Sequence, residues 1–141
     1  NAQLKTATGS AEAATVQFEK LENLAMQLPD NLNDIVGGFI KLKNLGLDPS
    51  ERALLSYANT ASAMGKSLDQ FIEAAADASV GERERLKEFG IRASKQGNEI
   101  AFAFRGVTTT VKNSSEEIQE YLLNIGETDF AGAAAERAKT L

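Results

Sequence analysis

The stretch at residues 81–111, GERERLKEFGIRASKQGNEIAFAFRGVTTTV, decides the fold because its hydrophobic period changes at Gly90. Before Gly90, oppositely charged side chains stand three residues apart, which is typical of an exposed helix face. After it, apolar residues alternate with small or polar ones, which predicts β-strands. The rest of the chain has helical periodicity. We therefore predict an α+β, mainly α protein with a single β element.

The alternating part predicts a three-stranded antiparallel β-meander. The strands are expected near residues 91–95, 99–104 and 107–112. A two-residue turn at Arg105 and Gly106 would fix the pairing of the last two strands. The first turn has two alternatives, centred on residues 96–97 or 97–98, and both leave the same side chains on the apolar face. We expect that face to be buried and to consist of Ile91, Ala93, Ile100, Phe102, Phe104, Val107 and Val111.

About six or seven short helices are expected to cover this face of the sheet. Helix starts are predicted from capping side chains, and helix ends from glycines. The predicted cap residues are Ser10, Asn31 or Asn33, Asp48, Ser67, Ser79, Ser114 and Asp129, and the predicted ends include Gly46, Gly65, Gly90 and Gly126. Within the second helix, Gly37 and Gly38 indicate close approach of another helix, with a hinge as the alternative.

The chain is expected to contain one compact domain. Residues 1–9 are predicted to be a flexible lead-in or the end of a preceding helix. Residues 10–126 are predicted to form a single α+β domain. Residues 127–141 are expected to start a helix that continues into a longer chain, because this Ala-rich run has no stop signal.

The composition argues against several classes of site. The 141 residues include no Cys and no His, which are common metal ligands and catalytic groups. Fifteen basic and 20 acidic side chains give a net charge of −5, which disfavours a general nucleic-acid surface. No apolar run approaches the ~20 residues of a membrane-spanning helix. We expect no catalysis, cofactor, metal, small-molecule substrate, direct nucleic-acid binding or membrane segment.

The outer face of the predicted sheet is small and polar, and it is the better candidate for a partner site. Exposure to solvent alone is the plainer interpretation of such a face. The charged helix beside the sheet is a second candidate surface. Together the candidate partner-binding residues are Arg92, Ser94, Ala101, Ala103, Thr108, Thr110, Arg83 and Lys87.

Several stretches follow the pattern of a known family in the same order along the chain. They are 36–49 (VGGFIKLKNLGLDP), 63–67 (AMGKS), 81–91 (GERERLKEFGI), Gly106, 125–126 (IG) and 130–133 (FAGA). With these stretches, the chain from about residue 18 to residue 141 resembles the N-terminal domain of bacteriophage or prophage tail tape measure proteins. The matching positions are caps, turns and core residues rather than a chemical signature.

The resemblance implies a structural role in virion tail assembly and tail-length determination. Tape measure proteins are long, largely helical chains on which tube subunits polymerise. The domain is then expected to dock to tail tube, initiator or baseplate, and tail assembly chaperone proteins, in the host cytoplasm during assembly and later in the virion tail. The resemblance also allows a homo-oligomer in the assembled tail. The alternative is a non-catalytic protein-binding adaptor domain of a bacterial protein.

The assignment of the two sheet faces predicts different costs for two truncations. Phe102→Ala should lower the free energy of unfolding by roughly 3–5 kcal/mol, because it removes a buried aromatic ring. Thr108→Ala, on the outer face, should be close to neutral. Urea unfolding of both variants measures the difference. Equally small effects would mean that the two faces are assigned wrongly.

Overall fold

The computed structural model describes residues 2–141, which have an α+β, mainly α fold with one three-stranded antiparallel sheet in the order β1-β2-β3. Asn1, part of the predicted lead-in, lies outside the described residues. The α-helices are α1 (Ala2–Thr8), α2 (Ala11–Ala25), α3 (Leu32–Asn44), α4 (Glu51–Ala63), α5 (Leu68–Ser79), α6 (Ser115–Glu127) and α7 (Ala133–Lys139). A 3₁₀ helix, Glu84–Phe89, precedes the strands β1 (Ile91–Gln96), β2 (Glu99–Phe104) and β3 (Val107–Lys112).

The turn between β2 and β3 is the predicted two-residue turn. Phe104 pairs with Val107, which leaves Arg105 and Gly106 as the turn residues. Their φ angles are 51° and 81°, and two successive positive values are what a type I′ turn requires. The guanidinium of Arg105 lies 4.5 Å from the ring centroid of Phe130 and 5.3 Å from that of Phe104. This cation–π contact offsets part of the cost of a left-handed conformation in a non-glycine residue.

The first turn of the meander is centred on residues 97–98. Gln96 pairs with Glu99, and this register decides between the two alternatives that the sequence leaves open. It aligns Ala93 with Phe102 on the inner face of the sheet, the face that the helices cover. The three strands match the predicted ranges to within one residue at every end.

Aromatic contacts fix the inner face of the sheet to the helices. Phe102 is fully buried, and its ring stacks on that of Tyr121 in α6 with the two centroids 4.3 Å apart. Phe104 meets Phe130, which follows α6, edge to face at 5.5 Å. A pair of aromatic rings adds about 0.5–1.5 kcal/mol beyond the burial of its area. The predicted burial of Phe102 and Phe104 is confirmed.

Val107 is the exposed exception among the residues predicted on the inner face, where Ala93 and Val111 are half-buried and the others are buried. The residue is 63% exposed, so the prediction that it is buried is wrong. The physical reason is its place on an edge strand. Helix α6 covers the opposite end of β3, where Glu117 Oε1 accepts a hydrogen bond from the backbone N–H of Lys112 at 2.9 Å. The turn end of β3 extends beyond that cover.

Helix α4 is the centre of the helical part, and it is buried on more than one face. Polar side chains inside it bond to the backbones of α6 and α7. The hydroxyl of Ser56 donates to the carbonyl oxygen of Leu123 at 2.6 Å. The amide of Asn59 donates to the carbonyl oxygen of Gly126 at 3.1 Å and accepts from the N–H of Ala134 at 2.9 Å. Because these groups are buried, leaving any one of the three backbone partners unsatisfied would cost about 1–3 kcal/mol.

Two glycines allow helices to approach closely. Gly126 does not end α6, as the sequence predicts, but lies within it, and a Cβ there would collide with the carbonyl oxygen of Ser56. A Cβ on Gly38 would lie 2.6 Å from Cδ1 of Ile72 in α5, which confirms the close-approach interpretation at that position. At Gly37 nothing lies within 4 Å of such a Cβ, so helix contact explains only one glycine of the pair.

Three predicted helix caps are wrong, because the side chain bonds to another group or the residue does not lie at the start of a helix. Asp48 accepts from the N–H of Ser50 at 2.9 Å, and Ser50 becomes the cap of α4. Ser79 is the last residue of α5, and its hydroxyl bonds back into that helix. Asp129 lies upstream of Gly132, the residue that precedes α7. The predicted caps that do accept a backbone N–H are Ser10, Asn31, Ser67 and Ser114.

Both terminal segments contribute short helices that pack on the rest. Within residues 1–9, helix α1 buries Leu4 and packs against α2 and α3. Within residues 127–141, helix α7 packs on α4, and Arg137 donates to the carbonyl oxygen of Lys66 at 2.7 Å. Across residues 2–141, no helix is both long and apolar enough to cross a membrane.

The same substitution, Gly to Ala, should have opposite effects at two helix glycines, because only Gly126 lies in the close contact between α4 and α6. Gly126→Ala should lower the free energy of unfolding by about 3 kcal/mol or more, because the added methyl group meets backbone rather than a flexible side chain. Gly37→Ala should raise it by roughly 0.5–1 kcal/mol through helix propensity alone. Urea denaturation measures both, and a Gly126→Ala variant as stable as the wild type would contradict the contact.

Candidate protein-docking site

The outer face of the sheet, turned away from the helices, holds six of the eight predicted partner-binding residues. The strand register aligns them in two rows that cross all three strands. The rows are Arg92–Ala103–Thr108 and Ser94–Ala101–Thr110. In each row an alanine of the central strand lies between longer polar side chains of the two edge strands. The outer face therefore has a shallow centre, where the backbone of another chain can approach.

Exposure within the outer face follows this arrangement. Ala101 is 9% exposed and Ala103 is half-buried, because their neighbours on β1 and β3 flank them. The four polar members of the two rows are exposed. No described helix or loop covers them, since all four are exposed, whereas the strand residues that belong to the core lie on the inner face. The outer face is therefore accessible along all three strands.

A third row of the outer face is missing from the sequence-based set. Gln96, Glu99 and Lys112 pair across the strands and are all exposed. The alternation that identifies the first two rows extends to these residues, so the signal was present in the sequence. The choice of the first turn controls which residues align in a row, and the sequence leaves that choice open.

Lys87 lies near the Arg92 end of the outer face. Its ammonium group is 2.7 Å from Oε2 of Glu84, one turn earlier in the 3₁₀ helix. The hydrogen bond and charge of Lys87 lower the pKa of the Glu84 carboxyl below its ordinary value, and the charge of Arg92 adds a smaller effect in the same direction. Both candidate cations therefore affect the pKa of the same carboxyl group. Arg92 itself forms no ion pair among residues 2–141.

Arg83 is separate from the outer face. Its guanidinium donates to Oδ1 of Asn113 at 2.9 Å and to the carbonyl oxygen of Gly81 at 3.3 Å. It lines a groove of about 420 Å³ with Ala93, whose side chain belongs to the inner face. Arg83 therefore joins the segment before the 3₁₀ helix to the end of β3. A surface made of the outer face does not include it.

A larger groove, with a volume of about 740 Å³, lies elsewhere, between α2, α3 and the start of α4. Its charged lining residues have both signs and are Glu12, Lys20, Lys43, Asp48 and Glu51. None of the eight predicted site residues lines it. In the described part of the chain, no group of three or more Asp or Glu side chains is arranged to hold a metal ion.

The fold and site define a small α+β domain with one uncovered sheet face. Comparison of the chain with protein-family models, with curated proteins and with solved structures gives no match. The functional proposal therefore rests on the outer face and on the family resemblance of the sequence.

The electrostatics beside the outer face predict how the Glu84 carboxyl titrates. Lys87→Met should raise the pKa of Glu84 toward its ordinary value, because it removes the hydrogen bond and the nearest positive charge. Arg92→Met should raise it by less, because only a more distant charge is lost. NMR titration of the carboxyl carbon measures both changes. A larger rise in Arg92→Met would contradict this arrangement of the two cations.

Proposed function

We propose that this chain is a structural domain of a phage or prophage tail tape measure protein that docks to other tail components through its outer face. The observation that carries the docking role is the uncovered sheet, with a shallow alanine centre between exposed polar side chains on both edge strands. Interfaces of this kind gain specificity from well-placed polar groups around a central contact.

The assignment to a tape measure protein rests on the resemblance of residues 18–141 to that family. On this proposal the domain anchors one part of a long chain during tail assembly, and the partners are tail tube, initiator or baseplate, and chaperone proteins. It acts in the host cytoplasm and then in the virion tail, and it performs no catalysis. Arg92, the one cation in the first two rows, offers a partner carboxylate a bidentate contact.

The alternative is a non-catalytic adaptor domain of a bacterial protein. One observation favours it equally: the small polar residues of the outer face have no chemistry that is particular to a tail protein. The same fold can serve unrelated binding functions. The two proposals differ in the partner that binds and in whether tails require the gene.

Binding of tail proteins tests the docking face directly. Ala103→Glu introduces a bulky charged group into the shallow centre, opposite Arg92, with which it can pair without loss of the fold. Affinity for the tail protein that co-purifies with the wild-type chain should fall at least about tenfold, equivalent to roughly 1.4 kcal/mol. Calorimetric titration measures the change. Ala11→Glu, the same substitution at an exposed residue of α2 away from the sheet, is the matched control and should bind normally.

Deletion of the gene from its phage or prophage tests the role in assembly. Tails should be absent or abnormal in length by electron microscopy, and Ala103→Glu should reproduce part of that defect. Normal tails after deletion would overturn the tape measure proposal. Unchanged binding by Ala103→Glu would instead overturn the outer face as the docking site.

A further inference from the structure

The free edge of β3 has backbone groups available for another strand. In a type I′ turn the residue after the turn donates to the residue before it, so Val107 bonds to β2. The direction of the backbone groups then alternates along the strand, so the N–H and C=O groups of Thr109 and Val111 also point toward β2. The N–H and C=O groups of Thr108 and Thr110 must therefore point outward, away from the sheet.

Two hydrogen bonds at the far end of β3 agree with this alternation. The N–H of Asn113 donates to the carbonyl oxygen of Asn98, in continuation of the bonds toward β2, at 2.8 Å. The N–H of Lys112 points the other way and donates to Oε1 of Glu117 at 2.9 Å. Glu117 thus occupies one outward donor of the edge. Among residues 2–141 no group outside the sheet bonds to Thr108 or Thr110.

Between Val107 and Val111 the edge lacks the features that usually prevent strand pairing. Natural edge strands are guarded by proline, by bulges or by charged side chains. Residues 107–111, VTTTV, contain no proline and no charge, and their pairing with β2 has no bulge. Every residue of the run is β-branched, which favours strand structure. The opposite edge differs, because the segment containing Arg83 and Arg85 lies beside Ala93 and Lys95 of β1.

We propose that the edge of β3 pairs with β3 of a second copy of this chain, in an antiparallel two-fold register centred on Thr109. This register places Thr108 opposite Thr110 of the second copy, so all the outward N–H and C=O groups of both residues are used. Thr109 faces Thr109 of the second copy in a non-hydrogen-bonded pair. The two sheets become one continuous sheet of six strands, with both outer faces on the same side.

The side chains in this register favour a second copy over an arbitrary strand. Val107, which is 63% exposed, lies opposite Val111 of the second copy, and this contact occurs twice around the two-fold axis. Lys112 lies opposite Gly106 of the second copy, so like charges do not face each other. Cross-strand pairs of β-branched residues and of threonines stabilise antiparallel strands. The run is therefore self-complementary. Val111 of the second copy covers the exposed Val107, which α6 does not reach.

Cysteine cross-linking tests the register, because the natural chain contains no Cys. In a non-hydrogen-bonded pair the two Cα atoms lie about 4.5 Å apart, which is within the range of a disulfide. Thr109→Cys should therefore form a covalent dimer under mild oxidation of the folded protein. Thr108→Cys is the matched control on the same exposed strand. It should remain largely monomeric, because residue 108 lies opposite residue 110 of the second copy and not opposite residue 108.

Sedimentation of the unlinked protein tests the pairing itself. The wild-type mass should double as concentration rises, and Thr109→Lys should abolish the doubling by placing two ammonium groups face to face. Because Thr109 is exposed, the variant should keep its fold, which circular dichroism checks. An equimolar mixture of Thr109→Lys and Thr109→Glu should dimerise again.

Three outcomes would overturn this pairing. They are a wild-type chain that stays monomeric at all concentrations, a dimer that Thr109→Lys does not weaken, and equal cross-linking by the two cysteine variants. None of them bears on the docking proposal. Binding of a tail protein is measured with Ala103→Glu, so a monomeric chain that still binds would leave the proposed function unaffected.

Discussion

The arrangement of the C-terminal third of the chain depends on two hydrogen bonds of the Asn59 side-chain amide. From the buried side of α4 it donates to the carbonyl oxygen of Gly126 and accepts from the N–H of Ala134, so one side chain joins the end of α6 to the start of α7. It can do so only because Gly126 has no side chain and the backbone of Ser56 lies directly against it. A buried polar group with both partners present specifies one arrangement, since any shift leaves donors or acceptors unpaired.

The position of the sheet follows from that of α6. One side of this helix is held by α4, and the other presents Tyr121, on which the ring of Phe102 stacks. Phe130, which follows α6, meets Phe104, and Arg105 lies over both rings. The orientation of the outer face is therefore coupled to the α4–α6 contact through packed aromatic groups. Rigid support of this kind suits a docking surface, because little conformational entropy is lost on binding.

The outer face and the β3 edge provide two distinct surfaces on one sheet. The face presents side chains around a shallow alanine centre, whereas the edge presents backbone groups beside the exposed Val107. Edge pairing between two copies would double the outer face without covering it, because strands add within the plane of the sheet. The proposed self-association and the proposed docking are therefore geometrically compatible.

Local signals in the sequence determined the strands, the Arg105–Gly106 turn and most helix boundaries, because alternation, turn chemistry and caps depend on neighbouring residues. They also identified two of the three rows of the outer face. Tertiary structure decided what depends on distant neighbours: that Gly126 is a contact rather than a stop, that Asn59 is a buried bridge, and that Val107 stays exposed. An asparagine has the same local pattern whether it faces solvent or a backbone, and a valine on an apolar face is buried only if a helix reaches it. Such outcomes depend on how elements far apart in the chain pack together, which no short window of sequence contains.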